Sequence, residues 1–374
     1  MSKPKTKLLF LLEPTAMAGA ERVVINLINY LDQNKLDISL AVHDKYLPEF
    51  KSQIFVDINY IKYNADPGEK ISFYRFDRLK KITDQDFDVI STHQNLPMIY
   101  LSMINPQATI VHTQHIAEKW RRFFWPDPFS ENSNDQYVAV SSSVKDFLIA
   151  QKHIEPERIS VIHNGIDLEH WQSNPPVKLN KKFGVKDDDI IVGYLGRLSP
   201  QKNLEIWLDI AGRVSRQSDK YKFFIVGSGP NEIILKEKAA KEGIPVTFVG
   251  WTDKPYDYLA FFDIFLNTSL YEGMSLAHLE ALYAQDYLLT TPVEGINDLQ
   301  SKLTLQVIDN YDPDIITQAL LKYKPADLSG NPDIIKNHFS AEVMASQYEK
   351  IFLHTGSFWD QEIDPEISKT NKNR

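Results

Sequence analysis

The sequence predicts an α/β protein made of two tandem, doubly wound, Rossmann-like domains that face each other across a cleft. Three observations carry that prediction. Short apolar runs of strand length alternate with helical patterns, the runs fall into two series, and a polar, proline-bearing stretch separates the series. The chain has 374 residues, 43% of them hydrophobic and 24% charged, enough to fill two cores.

The first series opens at residues 8–12, Leu-Leu-Phe-Leu-Leu, a run with no polar residue and hence a buried strand. A turn containing Pro14 and Gly19 follows, and then Val23, Val24, Leu27, Ile28 and Leu31 recur at helical spacing. Strand, glycine turn and helix form the repeating unit of an open parallel sheet. The unit recurs at 38–42, around Val89 and Ile90, at 109–111 and at 137–140, where Ser141, Ser142 and Ser143 offer helix-starting hydroxyls. The second series runs through 190–195, 223–226, 246–249, 264–266 and 287–290. Residues 172–189 read as a surface linker, which places the boundary near 175. The expected units are therefore 1–175, 176–340 and a C-terminal piece, 341–374. In that piece a helical pattern from Ala341 to Phe352 suits packing on either domain, and residues 360–374 are polar and aperiodic.

Composition removes several function classes. The chain has no cysteine, so disulfides, thiolate metal sites, iron–sulfur clusters and cysteine nucleophiles are excluded. A formal net charge of −9 argues against a nucleic-acid-wrapping protein. No apolar run approaches the ~18 residues of a membrane span, and the start of the chain has no signal-like core or cleavage site, so an intracellular protein is expected.

Two constellations sit where ligands bind in such sheets, just past strand ends. In 271–280 two carboxylates, Glu272 and Glu280, lie eight residues apart around a helix start. Gly273 lets backbone approach a ligand, and the first-turn amides attract an anion. The plainer reading makes Glu272 a helix-dipole carboxylate and Glu280 a solvated one. In 193–203, Arg197 can fork two phosphate oxygens and Lys202 adds a compact charge, a pair suited to a diphosphate; the plainer reading is two surface cations. Gly227-Ser228-Gly229-Pro230 makes a weaker third glycine turn at the same sheet edge. The acidic run Asp187-Asp188-Asp189 reads as solvated linker, and no Asp-x-Asp metal site follows a strand. His112 and His115 come at the end of a first-domain strand facing the cleft, without an evident third metal ligand, and His93 follows another strand. Residues 118–126 concentrate cations and aromatics, including Trp120, Arg121, Arg122, Phe123, Phe124 and Trp125. That composition suits a water–lipid interface, a sugar platform, or a buried aromatic cluster with cations at its rim.

Taken together, Gly196-Arg197 with Lys202, Val226-Gly227-x-Gly229-Pro230, Glu272-x7-Glu280, Asn164-Gly165-Ile166-Asp167 and Ala18-Gly19-Ala20-Glu21 resemble, in order and spacing, glycosyltransferase family 4, retaining enzymes of the GT-B fold. The resemblance spans about residues 8 to 350 and is more specific in the second domain. It departs from the family at Ala18, Asn267-Thr268-Ser269, Gln285-Asp286-Tyr287 and Asp298. The resemblance implies that Arg197 and Lys202 neutralise a donor diphosphate and that Glu280 holds ribose hydroxyls. Glu272 then holds sugar hydroxyls beside the amides of Gly273 and Met274, at the helix start with Ser275. Gly19, Gly196, Gly227 and Gly229 line the donor site, and Trp251 lies near the nucleobase. A cleft histidine, His115 before His112, meets sugar and acceptor. Expected partners are a nucleotide-sugar donor, UDP-linked before GDP-linked, and a glycan or lipid-linked acceptor of surface polysaccharide synthesis at the cytoplasmic membrane face. Peripheral membrane contact would be made through residues 118–126. No cofactor, metal or nucleic acid is expected. The alternatives are a nucleotide-sugar epimerase or phosphorylase on the same fold, or a nonenzymatic partner subunit that binds nucleotide or glycan.

Overall fold

The computed structural model describes residues 4–13, 17–63, 73–104, 106–117, 135–173 and 176–354. The first sheet contains β1 (Thr6–Leu11), β2 (Leu36–His43), β3 (Asn59–Tyr63), β4 (Val89–Thr92), β5 (Thr109–Gln114), β6 (Gln136–Ala139) and β7 (Ile159–Val161), in the order β3-β2-β1-β4-β5-β6-β7. The second contains β8 (Ile190–Leu195), β9 (Tyr221–Val226), β10 (Val246–Gly250), β11 (Ile264–Asn267), β12 (Tyr287–Thr290) and β13 (Gln306–Val307), ordered β10-β9-β8-β11-β12-β13. Adjacent strands pair in parallel throughout. In both sheets the order reverses beside the first strand, between β1 and β4 and between β8 and β11. Loops leaving the carboxyl ends there diverge and open a crevice.

Each sheet is covered on both faces, which is why its strands read as continuous apolar runs. Leu8 to Leu11 are all fully buried. The helix Gly19–Tyr30 lays Val23, Val24, Leu27 and Ile28 against β1 and against the last helix, Ala341–Leu353, through Met344, Ala345, Tyr348 and Phe352. That last helix, whose partner the sequence leaves open, therefore belongs to the first sheet's core. Tyr348 Oη lies 3.0 Å from Thr113 Oγ1 on β5, and Lys35 pairs with Glu349 at 2.6 Å.

The chain passes between the two units twice, side by side. The Ile166 amide donates to Phe339 O at 3.0 Å and the Ala341 amide donates to Ile166 O at 2.9 Å. A Cβ on Gly165 would strike the Ser340 carbonyl, so this crossing takes glycine.

The structure adds three strands that the apolar pattern does not mark: β3, β7 and β13. β3 is Asn-Tyr-Ile-Lys-Tyr, an edge strand of mixed polarity, and β7 and β13 have only three and two residues. The stretch read as linker holds a short helix, Asn180–Phe183, because Phe183 packs its ring 5.0 Å from Phe224 in the second core.

Candidate active site

The loops that follow β8 and β11 are sewn together, and the sewing brings the charged residues into contact. Thr268 Oγ1 donates to the carbonyls of Lys202 and Asn203 at 3.2 and 3.1 Å, Gln201 Nε2 donates to Tyr271 O at 2.7 Å, and the Leu270 amide donates to Gln201 O at 2.9 Å. Held this way, Lys202 Nζ forms an ion pair with Glu272 Oε1, whose other neighbour is the Ser269 hydroxyl at 2.8 Å. Glu272 is only 7% exposed, so it is no solvated helix-start carboxylate. Burial, the largest single influence, pushes its pKa up, but the Lys202 charge, His278 and the hydrogen bonds from Lys202 and Ser269 together carry the net shift below the ordinary glutamate value. Arg197 is exposed on the β8 loop and so remains open to a ligand.

The helix Leu276–Tyr283 starts at Ser275, whose side chain makes no cap bond, and it carries Glu280. Glu280 is half-buried, and burial pushes its pKa up to about 7, opposed by Arg22 of the first unit. Two residues earlier His278 lies buried in the same helix; its Nε2 has no hydrogen-bond partner among the described residues, and burial lowers its pKa to about 4, so it is neutral at pH 7. Met274 is buried, and its carbonyl accepts Asn164 Nδ2 at 2.7 Å from the crossing segment.

Several of the glycines expected in the site serve packing between loops. A Cβ on Gly227, at φ +128°, would collide with the Gly196 carbonyl, and one on Gly229 with the Leu198 carbonyl, so these residues let the β8 and β9 loops touch. At Gly273 the obstruction is the His115 carbonyl, across the cleft. Gly19 differs, since open space lies where its Cβ would be. Trp251, past the end of β10, is 73% exposed beside Gly250, whose carbonyl accepts the Gly227 amide at 2.8 Å.

The first unit contributes a different surface. Glu21, in the first turn of Gly19–Tyr30, accepts the Ala18 amide at 3.1 Å and Gln94 Nε2 at 2.8 Å, joining the loops after β1 and β4. Its buried carboxyl has a raised pKa because of desolvation, with Arg197 acting across the cleft in the opposite sense. His115 Nε2 lies 3.0 Å from His93 Nδ1, so one ring donates to the other. Burial first, then the neighbouring His112, lowers the His115 pKa to about 3, and burial also holds His93 well below its ordinary value. Both are neutral at pH 7. His112, three residues before His115, occupies the opposite face of β5, buried near Tyr137 with Nε2 3.2 Å from Gln114 Oε1. The geometry thus separates the two histidines: His115 lines the cleft and His112 packs in the core.

Trp120, Arg121, Arg122 and Trp125 lie outside the described residues. Of two further participants, Glu294 carries no local signal in the sequence and His93 is marked there only as following a strand. His93 reaches His115 only because β4 and β5 are neighbours. Glu294, 22 residues after Glu272, accepts the Glu272 amide at 2.9 Å through Oε2.

Two facing Rossmann-like units with an exposed arginine and a lysine–glutamate pair at the switch point define a GT-B architecture with a charged crevice. Residues 17–170 match the model of Glycosyltransferase Family 4, and residues 189–323 match that of Glycosyl transferases group 1. The chain belongs to this family and is a glycosyltransferase. It is 25% identical over 342 residues to the UDP-Gal:alpha-D-GlcNAc-diphosphoundecaprenol alpha-1,3-galactosyltransferase of Escherichia coli, covering 82% of this chain and 84% of that protein. Among solved structures, a glycosyltransferase from Rickettsia africae ESF-5 superposes with a TM-score of 0.78 at 16% identity, over 94% of this chain and 98% of that one. Anabaena Alr3699/HepE in complex with UDP superposes with a TM-score of 0.72 at 18% identity, over 92% and 99% of the two chains. The structural likenesses establish the fold.

Proposed function

We propose that this chain is a retaining, metal-independent glycosyltransferase that moves a sugar from a nucleotide-sugar, a UDP-sugar first, to a glycan or lipid-linked acceptor in surface polysaccharide or glycoconjugate synthesis. The buried Lys202–Glu272–Ser269 cluster beside exposed Arg197 carries the reading. The UDP complex of Alr3699/HepE and the UDP-Gal and lipid-diphosphate named for the Escherichia coli relative support the choice of donor and acceptor.

Breaking the bond between the anomeric carbon and the diphosphate builds positive charge on the sugar and negative charge on the leaving group. Arg197, Lys202 and the amides at the helix start meet that negative charge, and preorganised donors of this kind lower the barrier. Glu272, kept ionised by Lys202, accepts sugar hydroxyls, and Glu280 accepts ribose hydroxyls. Retention follows if the acceptor oxygen attacks from the face the diphosphate leaves, with its proton passing to the departing phosphate oxygen. His115, neutral and braced by His93, orients sugar and acceptor by hydrogen bonding. Protein cations supply the charge that a divalent ion would otherwise provide.

The test is a hydrolysis and transfer screen over nucleotide-sugars with EDTA present, with the product anomer assigned by NMR. Turnover of a UDP-sugar with retained configuration is expected. Preference for GDP-sugars, an inverted product, or activity lost on chelation and restored by manganese would each overturn the corresponding part of the reading.

Membrane contact is proposed on the composition of residues 118–126 alone, with each basic residue contributing about 1 kcal/mol near an anionic surface. Weak, salt-sensitive co-sedimentation with anionic vesicles, abolished by changing Arg121 and Arg122 to Glu, is the expected result. Indifference of the wild type to such vesicles overturns it.

A further inference from the structure

Glu294 is a carboxylate in the donor wall that belongs to neither of the charged motifs. It follows β12, and its Oε2 accepts the backbone N–H of Glu272 at 2.9 Å. Its own carbonyl accepts the Ser143 hydroxyl of the first unit at 2.7 Å, so the residue spans the seam between the two units. The next residue, Gly295, has no room for a Cβ because the Gly273 carbonyl fills that space, and the loop is pressed against Glu272–Met274. Glu294 is half-buried, which keeps part of its charge unscreened by water.

The two carboxylates differ in one respect. Glu272 has a lysine on it, whereas among the described residues no Lys, Arg or His is ion-paired with Glu294. The crevice is therefore polarised. Cations gather at the diphosphate end, and an uncompensated negative charge stands next to the residue that meets the sugar.

We propose that Glu294 sets the class of donor sugar, admitting neutral hexoses and N-acetylhexosamines and rejecting uronic acids. The inference rests on the donor reading given above. A uronic acid presents a carboxylate where a hexose presents a hydroxymethyl group, and a second negative charge beside Glu294 is repelled. Discrimination of this kind works by penalising the wrong ligand, and it leaves contacts to the right one unimproved.

UDP-glucose and UDP-glucuronate differ only at that carbon, so their relative affinity isolates the charge. Calorimetry on the full chain, with UDP, UDP-glucose and UDP-glucuronate, gives each sugar's affinity relative to bare UDP on the same variant. Wild type is expected to bind UDP-glucuronate at least about tenfold more weakly than UDP-glucose, the scale of a like-charge contact in a half-exposed site. Glu294→Gln, which keeps an acceptor for the Glu272 amide, should narrow that gap to within about threefold, and Glu294→Ala should narrow it similarly without that hydrogen bond. Equal affinities in the wild type, or an unchanged gap in both variants, overturn the proposal. Failure of the wild type to bind even bare UDP overturns the donor reading and this inference together.

Discussion

The two sides of the cleft are built by different means. On the second side the residues that hold the loops together are also the charged ones: Lys202 lies on Glu272, and Thr268 and Gln201 tie their loops to each other. On the first side a scaffold of Gln94 and Glu21 joins the loops, His115 rests on buried His93, and exposed Arg22 acts on Glu280. The second side thus ties its loops together at an ion pair, while the first side ties them through Glu21 and Gln94. A substitution on the donor side should change folding and chemistry together wherever the residue is buried, and chemistry alone where it is exposed.

The largest expected effect is at Lys202. Lys202→Ala leaves Glu272 buried without its cation, so a loss of about 3 kcal/mol or more of stability should accompany a fall in turnover of about 10² or more. Thermal melting and kinetics on the same sample check this. Arg197→Ala should give a similar fall in turnover, about 10², with an unchanged melting temperature, because the side chain is exposed. Near wild-type turnover in both variants would break the donor half of the comparison.

On the acceptor side, His115→Ala should reduce transfer to an acceptor by about tenfold while sparing slow donor hydrolysis, and His93→Phe should reproduce part of that loss by freeing the His115 ring. Equal loss of hydrolysis and transfer would place His115 on the donor instead.

A subtler contrast lies in Glu280. Burial raises its folded-state pKa to about 7, above the ordinary glutamate value of 4.5. Between those values the folded state holds a proton that the unfolded state has released, so stability contributed by this group is present at low pH and falls as pH rises from 4.5 to 7. UDP, whose ribose hydroxyls would donate to the ionised carboxylate, should bind more weakly as pH drops below 7. In Glu280→Gln both dependences should flatten, and a pH-independent wild type would remove Glu280 from the ribose.

Much of this was legible in the sequence for a physical reason. β1 and β8 are short runs buried on both faces, and Glu272 and Glu280 are spaced within one loop and helix, so local order alone reveals them. β3 was hidden because an edge strand need not be apolar on both faces, and its residues Asn59 and Lys62 break the pattern. Glu294, and the pairing of His93 with His115, are hidden for another reason. Each acquires meaning only from a partner, His115 or Glu272, brought near by strand order. The family resemblance implies His115 before His112; the structure packs His112, on β5, beside Tyr137 and puts His115 just past the end of that strand beside His93. The sequence suggests room for a ligand at Gly273, and in the structure the His115 carbonyl takes the space a Cβ would need.

The reading that the second side holds most of the nucleotide is tested most directly by calorimetric titration of UDP into wild type, Arg197→Ala and His115→Ala. UDP should bind His115→Ala as it binds the wild type and should bind Arg197→Ala at least about tenfold more weakly, the worth of one charge-assisted contact to phosphate. Equal weakening in both variants, or weakening in His115→Ala alone, would contradict the division of labour between the two sides of the cleft.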